Sequence, residues 1–136
     1  FSSKFFFDFF RFRWYSDKKI MITKGIRGAI TVENNSVEDI KSATLELLSE
    51  MIKKNNIEKE NISHAIFTLT PDLNAEFPAK FARIDFGWDN IAMMCFHELD
   101  VPNSLKKCLR ILIVVNANDD FKPKFVYLKG AEKLRK

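Results

Sequence analysis

The residues of this chain best suited to chemistry are cations at a few defined positions. Lys80 and Arg83 lie three apart in "PAKFAR", which puts them on one side of a helical turn. Arg27 stands between two glycines in "KGIRGAI", and Arg110 precedes the apolar run "ILIVV". Several arginines converging on one cleft indicate a ligand with more than one carboxylate or phosphate, because the guanidinium fork binds such groups through paired hydrogen bonds.

Each of these cations also has a purely structural explanation. A buried guanidinium without an acceptor is costly, and Glu98 or Asp100 could supply an ion-pair partner for Arg110. Lys80 and Arg83 by themselves fit a solvated helix face. Arg27 fits the surface of an edge strand, although its flanking glycines would let another group approach the backbone closely. These residues alone leave both explanations open.

Composition narrows the class of protein. The chain has 136 residues and is 46% hydrophobic, which predicts one soluble globular domain with a substantial core. Of the formal net charge of +4, residues 1–20 carry +3 and the rest only +1. A nearly neutral body is not expected to bind nucleic acid.

The first twenty residues differ from the rest of the chain. They hold seven of the fourteen phenylalanines, and Asp8, Arg11 and Arg13 interrupt the apolar stretch. These charges disfavour a secretory signal and a transmembrane helix, and an interfacial membrane anchor is the weaker alternative. We expect residues 1–20 to be a non-native or unstructured leader and residues 21–136 to be the functional domain.

The chain has two cysteines and two histidines that could serve as metal ligands. Cys95 and His97 could form a zinc site with His64 and Cys108, but no second closely spaced pair exists, so we predict no metal and no cofactor. The cysteines also suggest no disulfide framework, which fits a reduced cytoplasmic setting. The sequence has no Gly-rich phosphate loop and no Gly-x-Ser-x-Gly nucleophile elbow.

Hydrophobic periodicity predicts the element order β-α-β-α-β-β-β. The strands are "MITKGIRGAITVE", broken by Gly25 and Gly28, then "HAIFTLT", "IAMMCFHEL", "LRILIVVNA" and "KFVYLKGA". This order predicts an α/β (α+β) domain with one mixed sheet and helices on one face. The chain is too short for a third layer, so oligomerisation through the sheet is the economical way to cover the other face.

Residue chemistry at their ends marks the two helices. The first begins at Ser36 as N-cap, with Asp39 three residues later as a variant of the capping box. The second is the brief segment "FPAKFARIDFG", with Pro78 in its first turn and Gly87 ending it.

Four longer stretches together resemble a known enzyme family. "KGIRGAITVENNS", "TPDLNAEFPAKFAR", "CFHELDVPNSLKKCLRILIVV" and "VYLKGAEKLR" are similar in order and spacing to the monofunctional, AroH-class chorismate mutases of bacteria, from Met21 to the C-terminus. The resemblance implies a homotrimer with a pseudo-α/β barrel and active sites in the clefts between subunits. It also implies the rearrangement of chorismate to prephenate on the route to phenylalanine and tyrosine.

The same resemblance implies roles for individual residues. Arg27 and Tyr127 would bind substrate carboxylates, and Arg110 would contact the ether oxygen of the breaking bond. Glu98 would accept a hydrogen bond from the ring hydroxyl. Cys95 would lie beside Glu98, and Met93 and Met94 would line the pocket. A wall and a positive field would come from Phe77, Ala79, Lys80 and Arg83. A C-terminal segment folding over the site would include Leu134 and Arg135.

Strand geometry bears on where such a site can lie. Cys95 and Glu98 are an odd number of residues apart, so in a regular strand their side chains point to opposite faces. A site between subunits can still use both, because Cys95 of one copy can face Glu98 of another.

Two rival functions remain open from the sequence. The trimeric enamine/imine deaminases share this architecture and an interfacial arginine, but they do not explain "FPAKFAR" and "GIRGA" together. A non-catalytic dicarboxylate-binding protein, with its arginines in structural ion pairs, is the other rival.

Overall fold

The structure is a computed structural model that describes residues 20–135. The five strands are β1 (Met21–Thr31), β2 (Ile62–Leu69), β3 (Ala92–His97), β4 (Cys108–Asn118) and β5 (Val126–Leu128), and the two α-helices are α1 (Val37–Asn55) and α2 (Ala79–Phe86). Short 3-10 helices cover Lys59–Asn61 and Lys129–Arg135. The predicted order of strands and α-helices is confirmed. The expectation for the leader falls almost wholly outside the described residues.

The strands form one mixed sheet in the order β3-β2-β4-β1-β5. The central strand β4 is antiparallel to β1 and β2, whereas β5 runs parallel to β1 and β3 parallel to β2. Both α-helices contribute buried residues to the same core, so the prediction of a mixed sheet with helices on one face is confirmed.

The first strand is continuous, so the predicted break at Gly25 and Gly28 is wrong. All eleven residues of β1 pair with β4, from Met21 opposite Asn118 to Thr31 opposite Cys108. The role of Gly28 is to admit the helix, since an added Cβ would collide with the sulfur of Met51. The glycine therefore marks where α1 crosses close to the sheet.

The α1 N-terminus is capped as predicted but without the capping box. The Ser36 hydroxyl accepts the Asp39 N–H at 3.2 Å. The carboxylate of Asp39 accepts from the backbone and side-chain N–H groups of Asn34, at 3.1 and 3.0 Å, so it tethers the incoming chain. In α2, Pro78 lies at the N-cap just before the first turn, and Gly87 ends the helix with a φ of 69° as predicted.

The two faces of the sheet differ in cover. The centre of the face under the helices is buried, with Ile26, Ile30, Phe67, Ile111 and Ile113 in one core cluster with Leu47, Leu48 and Met51. On the opposite face, which we call the open face, Met94 is 61% and Phe96 46% exposed. A small cluster of Ala29, Cys108 and Ala131 with Leu105, Tyr127 and Leu134 covers one end of it. Within residues 20–135, no helix is long and apolar enough to cross a bilayer.

Candidate active site

A row of side chains crosses the open face from one edge of the sheet to the other. Neighbouring strands place these residues side by side: Tyr127, Ala29, Arg110, Thr68 and Phe96. Side chains at paired positions lie on the same face, and Arg27 shares that face because it is two residues from Ala29 along β1. The sheet therefore brings two of the predicted arginines together with Tyr127.

Arg110 contacts an acidic side chain but is not saturated by it. Its Nη1 lies 3.5 Å from Oε2 of Glu98, with side chains 29% and 26% exposed. Glu98 is held in place by its backbone N–H, which donates to the Leu69 carbonyl at 2.8 Å. The Nε of Arg110 is buried and has no hydrogen-bond partner among the described residues. Of Glu98 and Asp100, the two acidic residues that the sequence offers as partners, Glu98 is the one in contact.

The C-terminal segment adds a third cation to this region. Nε of Arg135 donates to the Tyr127 hydroxyl at 3.0 Å, and its guanidinium lies 5.4 Å from the centroid of the Phe125 ring. Leu134 packs on the small cluster around Ala29. The segment therefore contacts Tyr127 at the end of the row.

A second group of predicted residues lies around a surface cavity of about 450 Å³ between α2 and β3. Its lining includes Phe77, Ala79, Lys80, Arg83, Met93, Met94 and Cys95, which we call the cavity set. Arg27, Glu98, Arg110, Tyr127, Leu134 and Arg135 do not line it, and we call these the open-face set. Every predicted site residue falls into one set or the other.

A carboxylate that the sequence reasoning did not single out holds the lysine of the cavity set. Lys80 Nζ lies 3.1 Å from Oε2 of Glu76, whose Oε1 accepts the Phe77 N–H at 3.0 Å. The Phe77 N–H first, and then Lys80, lower the pKa of Glu76, so this carboxyl is charged at neutral pH. The spacing of four residues between Glu76 and Lys80 was the available signal.

Cys95 is a neutral member of the cavity set. It pairs with the buried Phe67 across β2 and β3, so it lies on the helix side of the sheet. Burial raises the pKa of the Cys95 thiol, and an N–H from Ala79 opposes this only partly. A thiol that stays protonated is a poor nucleophile and a poor metal ligand. Among the described residues, no three His, Cys, Asp or Glu side chains are grouped to hold a metal ion.

Behind the open-face set, a hydrogen-bond network joins the end of β2 to the start of β4. The Asp72 carboxylate accepts the Lys107 N–H at 3.2 and 2.9 Å and also accepts from the Thr70 hydroxyl. That hydroxyl in turn accepts the Cys108 N–H at 2.9 Å. Burial acts to raise the pKa of Asp72, but the hydrogen bonds from Thr70 and Lys107 outweigh it and the pKa is lowered. The network fixes the backbone two residues before Arg110.

The arrangement of the two sets has one geometric consequence. Cys95 lies on the helix side while Glu98 reaches Arg110 on the open face, as their odd spacing predicted. Each set supplies cations to its own surface. The structure is thus an α+β protein in which the predicted site residues do not line one common pocket on this chain.

Comparison with known proteins identifies the family to which the chain belongs. The family model for chorismate mutase type I matches residues 23–136. Chorismate mutase AroH of Bacillus subtilis is 40% identical over 98 residues, which cover 72% of this chain and 77% of that protein. Chorismate mutase AroH of Thermus thermophilus is 40% identical over 116 residues, covering 84% and 94%. The chain belongs to the type I chorismate mutase family.

A solved structure agrees with this assignment. A chorismate mutase from Clostridium thermocellum superposes with a TM-score of 0.77 at 47% identity, covering 81% of this chain and 98% of that one. Sequence and fold thus point to the same family, which selects it over the deaminase alternative. The chain is an isomerase of aromatic amino acid biosynthesis.

Proposed function

We propose that this chorismate mutase rearranges chorismate to prephenate in clefts that combine the open-face set of one copy with the cavity set of another. The observation that carries the location is the division of the site residues into two half-sites on one chain. Family membership supplies the reaction. The substrate is a dicarboxylate, and both half-sites are rich in cations.

The reaction needs electrostatic help rather than a nucleophile. The ether C–O bond breaks as a new C–C bond forms within the same molecule, and negative charge develops on the ether oxygen. A fixed cation in a water-poor site stabilises this charge. Arg110 suits the role because its guanidinium is only partly exposed and its single acidic contact, at 3.5 Å, leaves donors for the ligand.

The remaining residues hold the flexible substrate in its reactive shape. Arg27, and Tyr127 with its partner Arg135, bind carboxylates, while Lys80 and Arg83 of the second copy add positive potential. Glu98 accepts a hydrogen bond from the ring hydroxyl of the substrate. Its contact with Arg110 also orients the guanidinium. No proton transfer is assigned to Glu98.

The assembly that brings the half-sites together is a homotrimer. Met94, Phe96, Leu99 and Val101 expose large apolar areas, with Leu99 84% exposed, and such patches mark interfaces. Contacts between unlike surfaces close into a ring, which here would form the pseudo-α/β barrel. The cysteines are unpaired, which supports a reduced cytoplasmic location.

The direct test is to add chorismate to purified protein, follow its ultraviolet absorbance and identify the product. Prephenate formation well above the spontaneous rate is the expected result. Tight dicarboxylate binding by a folded trimer without turnover would instead support the non-catalytic alternative.

Removal of residues 1–20 should leave assembly and activity unchanged. The family match begins at residue 23, and β1 begins at Met21 with its own complete pairing to β4. Size-exclusion chromatography with light scattering and a chorismate assay would compare the shortened and full chains. A monomeric or inactive shortened chain contradicts this domain assignment.

Glu76→Gln should lower KM for chorismate severalfold while changing kcat little. The substitution removes a negative charge beside Lys80 from a half-site that meets a dianion, so ground-state binding improves. The gain should shrink as salt is added, because exposed charges are screened. Glu60→Gln, on the 3-10 helix before β2, is the matched control and should leave KM unchanged. An unchanged or higher KM for Glu76→Gln at low salt would show that Lys80 needs this carboxylate in place.

A further inference from the structure

Two buried polar atoms of the open face lack a hydrogen-bond partner among the described residues. They are the Thr68 hydroxyl oxygen and the Arg110 Nε. Buried polar atoms in folded proteins are nearly always paired, and each exception calls for an explanation. These two exceptions belong to residues directly opposite each other in the β2–β4 register. One donor and one acceptor are therefore left over at adjacent positions.

The path of the Arg110 side chain explains how these atoms relate. Arg110 is on β4 and its partner Glu98 follows β3, while β2 lies between these strands. The guanidinium therefore extends over β2, on the face of the sheet that carries Thr68, toward Glu98 and beside the Cys108 thiol. Hydroxyl oxygens accept hydrogen bonds, and Nε–H can only donate. Among the described residues, the Thr68 hydroxyl is thus the unpaired acceptor at the position paired with Arg110.

We propose that Thr68 is a positioning residue for Arg110. When substrate fills the cleft, the Thr68 hydroxyl accepts the Nε–H, while Glu98 keeps its contact with Nη1. Two corners of the planar guanidinium are then fixed, and the remaining N–H groups point at the ether oxygen. This proposal rests on the role proposed above for Arg110.

The test begins with Thr68→Val, which replaces the hydroxyl by a methyl group of similar size. We expect kcat to fall about 10- to 100-fold, the worth of one hydrogen bond to a charged group, with KM little changed. The melting temperature should not fall, because valine favours strands and an unpaired buried hydroxyl is removed. Thr68→Ser keeps the hydroxyl and should keep most of kcat. A merely structural hydroxyl would give the reverse pattern, a lower melting temperature with normal kcat.

A double-mutant cycle separates positioning from direct contact with substrate. Lysine has no Nε–H to be accepted, so Thr68→Val should cost little further kcat in the Arg110→Lys background, assayed at high enzyme concentration. Full additivity of the two losses would show that Thr68 contacts substrate itself and would overturn the proposal. Thr23→Val is the control. It removes a hydroxyl that bonds Asn116 near the N-terminal end of β1, and kcat should be unchanged.

The outcomes also distinguish this proposal from the proposed function. If Arg110→Ala turns over chorismate normally, the role of Arg110 fails and the role of Thr68 falls with it. If Arg110→Ala loses turnover while Thr68→Val keeps wild-type kcat, the proposed function stands and only the role of Thr68 is overturned.

Discussion

Arg110→Ala should lower kcat at least about 10²- to 10³-fold while the protein stays folded and assembled. Loss of one preorganised donor to a developing oxyanion typically costs this much, and a full charge can be worth more. The contact strengthens as the ether bond breaks, so the loss appears in kcat rather than only in KM. Kinetics on chorismate, with melting temperature measured in parallel, check this.

Two further substitutions sharpen the interpretation of Arg110→Ala. Arg110→Lys keeps the charge but loses the planar fork, so it should remain badly impaired. Arg27→Ala should also raise KM, since a carboxylate contact exists in both the ground state and the transition state. Lys53→Ala, in the last turn of α1, is the control for loss of a cation and should behave as wild type. A folded Arg110→Ala protein with nearly normal kcat would eliminate the catalytic role.

If Arg110 serves only as an ion-pair partner, the pattern reverses. Removing the guanidinium would leave Glu98 without its partner and lower the melting temperature, with little change in kcat. The two explanations therefore make opposite predictions for the same variant.

Mixing two inactive variants should restore about one quarter of wild-type activity. One variant carries Arg110→Ala in the open-face set, and the other carries Lys80→Ala and Arg83→Ala in the cavity set. If each cleft takes one set from each of two neighbours, random assortment at equal amounts leaves about one cleft in four with both sets intact. Activity should rise from near zero after subunits exchange.

Mixing Arg110→Ala with Arg27→Ala provides the matched control. Both substitutions lie in the same set, so no combination of subunits yields an intact cleft and no activity should return. Subunit exchange must be shown separately, for example by mass spectrometry of differently tagged chains. Demonstrated exchange without recovery in the first mixture would exclude a cleft shared between copies.

Much of the fold could be predicted from the sequence because its signals are local. Ser36 caps its helix through an atom three residues away, and Gly87 ends α2 by its own backbone conformation. The errors involve distant partners. Gly28 does not break β1. Its missing side chain makes room for Met51, which lies on another element. The last strand is only three residues long because the chain turns into a 3-10 helix at Lys129, where φ is 54°.

For the site, too, some features could be predicted from local sequence signals, whereas others depend on residues distant in the sequence. The opposite directions of Cys95 and Glu98 followed from the two-residue period of a strand. Thr68 could not be found from its neighbours in the sequence, because its proximity to Arg110 depends on the register between β2 and β4. Asp72 also acts through groups on a distant loop, the N–H of Lys107 above all. The assignment of individual residues to parts of the substrate came from the family resemblance rather than from spacing.

The exposed Phe96 stands in the same row of the sheet as Arg110, separated from it only by Thr68. In the proposed trimer, the surface that recruits a neighbour and the surface that meets the substrate are therefore one continuous surface. Substitutions that accumulate at the subunit interface would therefore also alter the positions of side chains beside the reacting bond. Sequence divergence at this surface would then be constrained by assembly and by catalysis together. A change in how subunits pair would require compensating changes in the site.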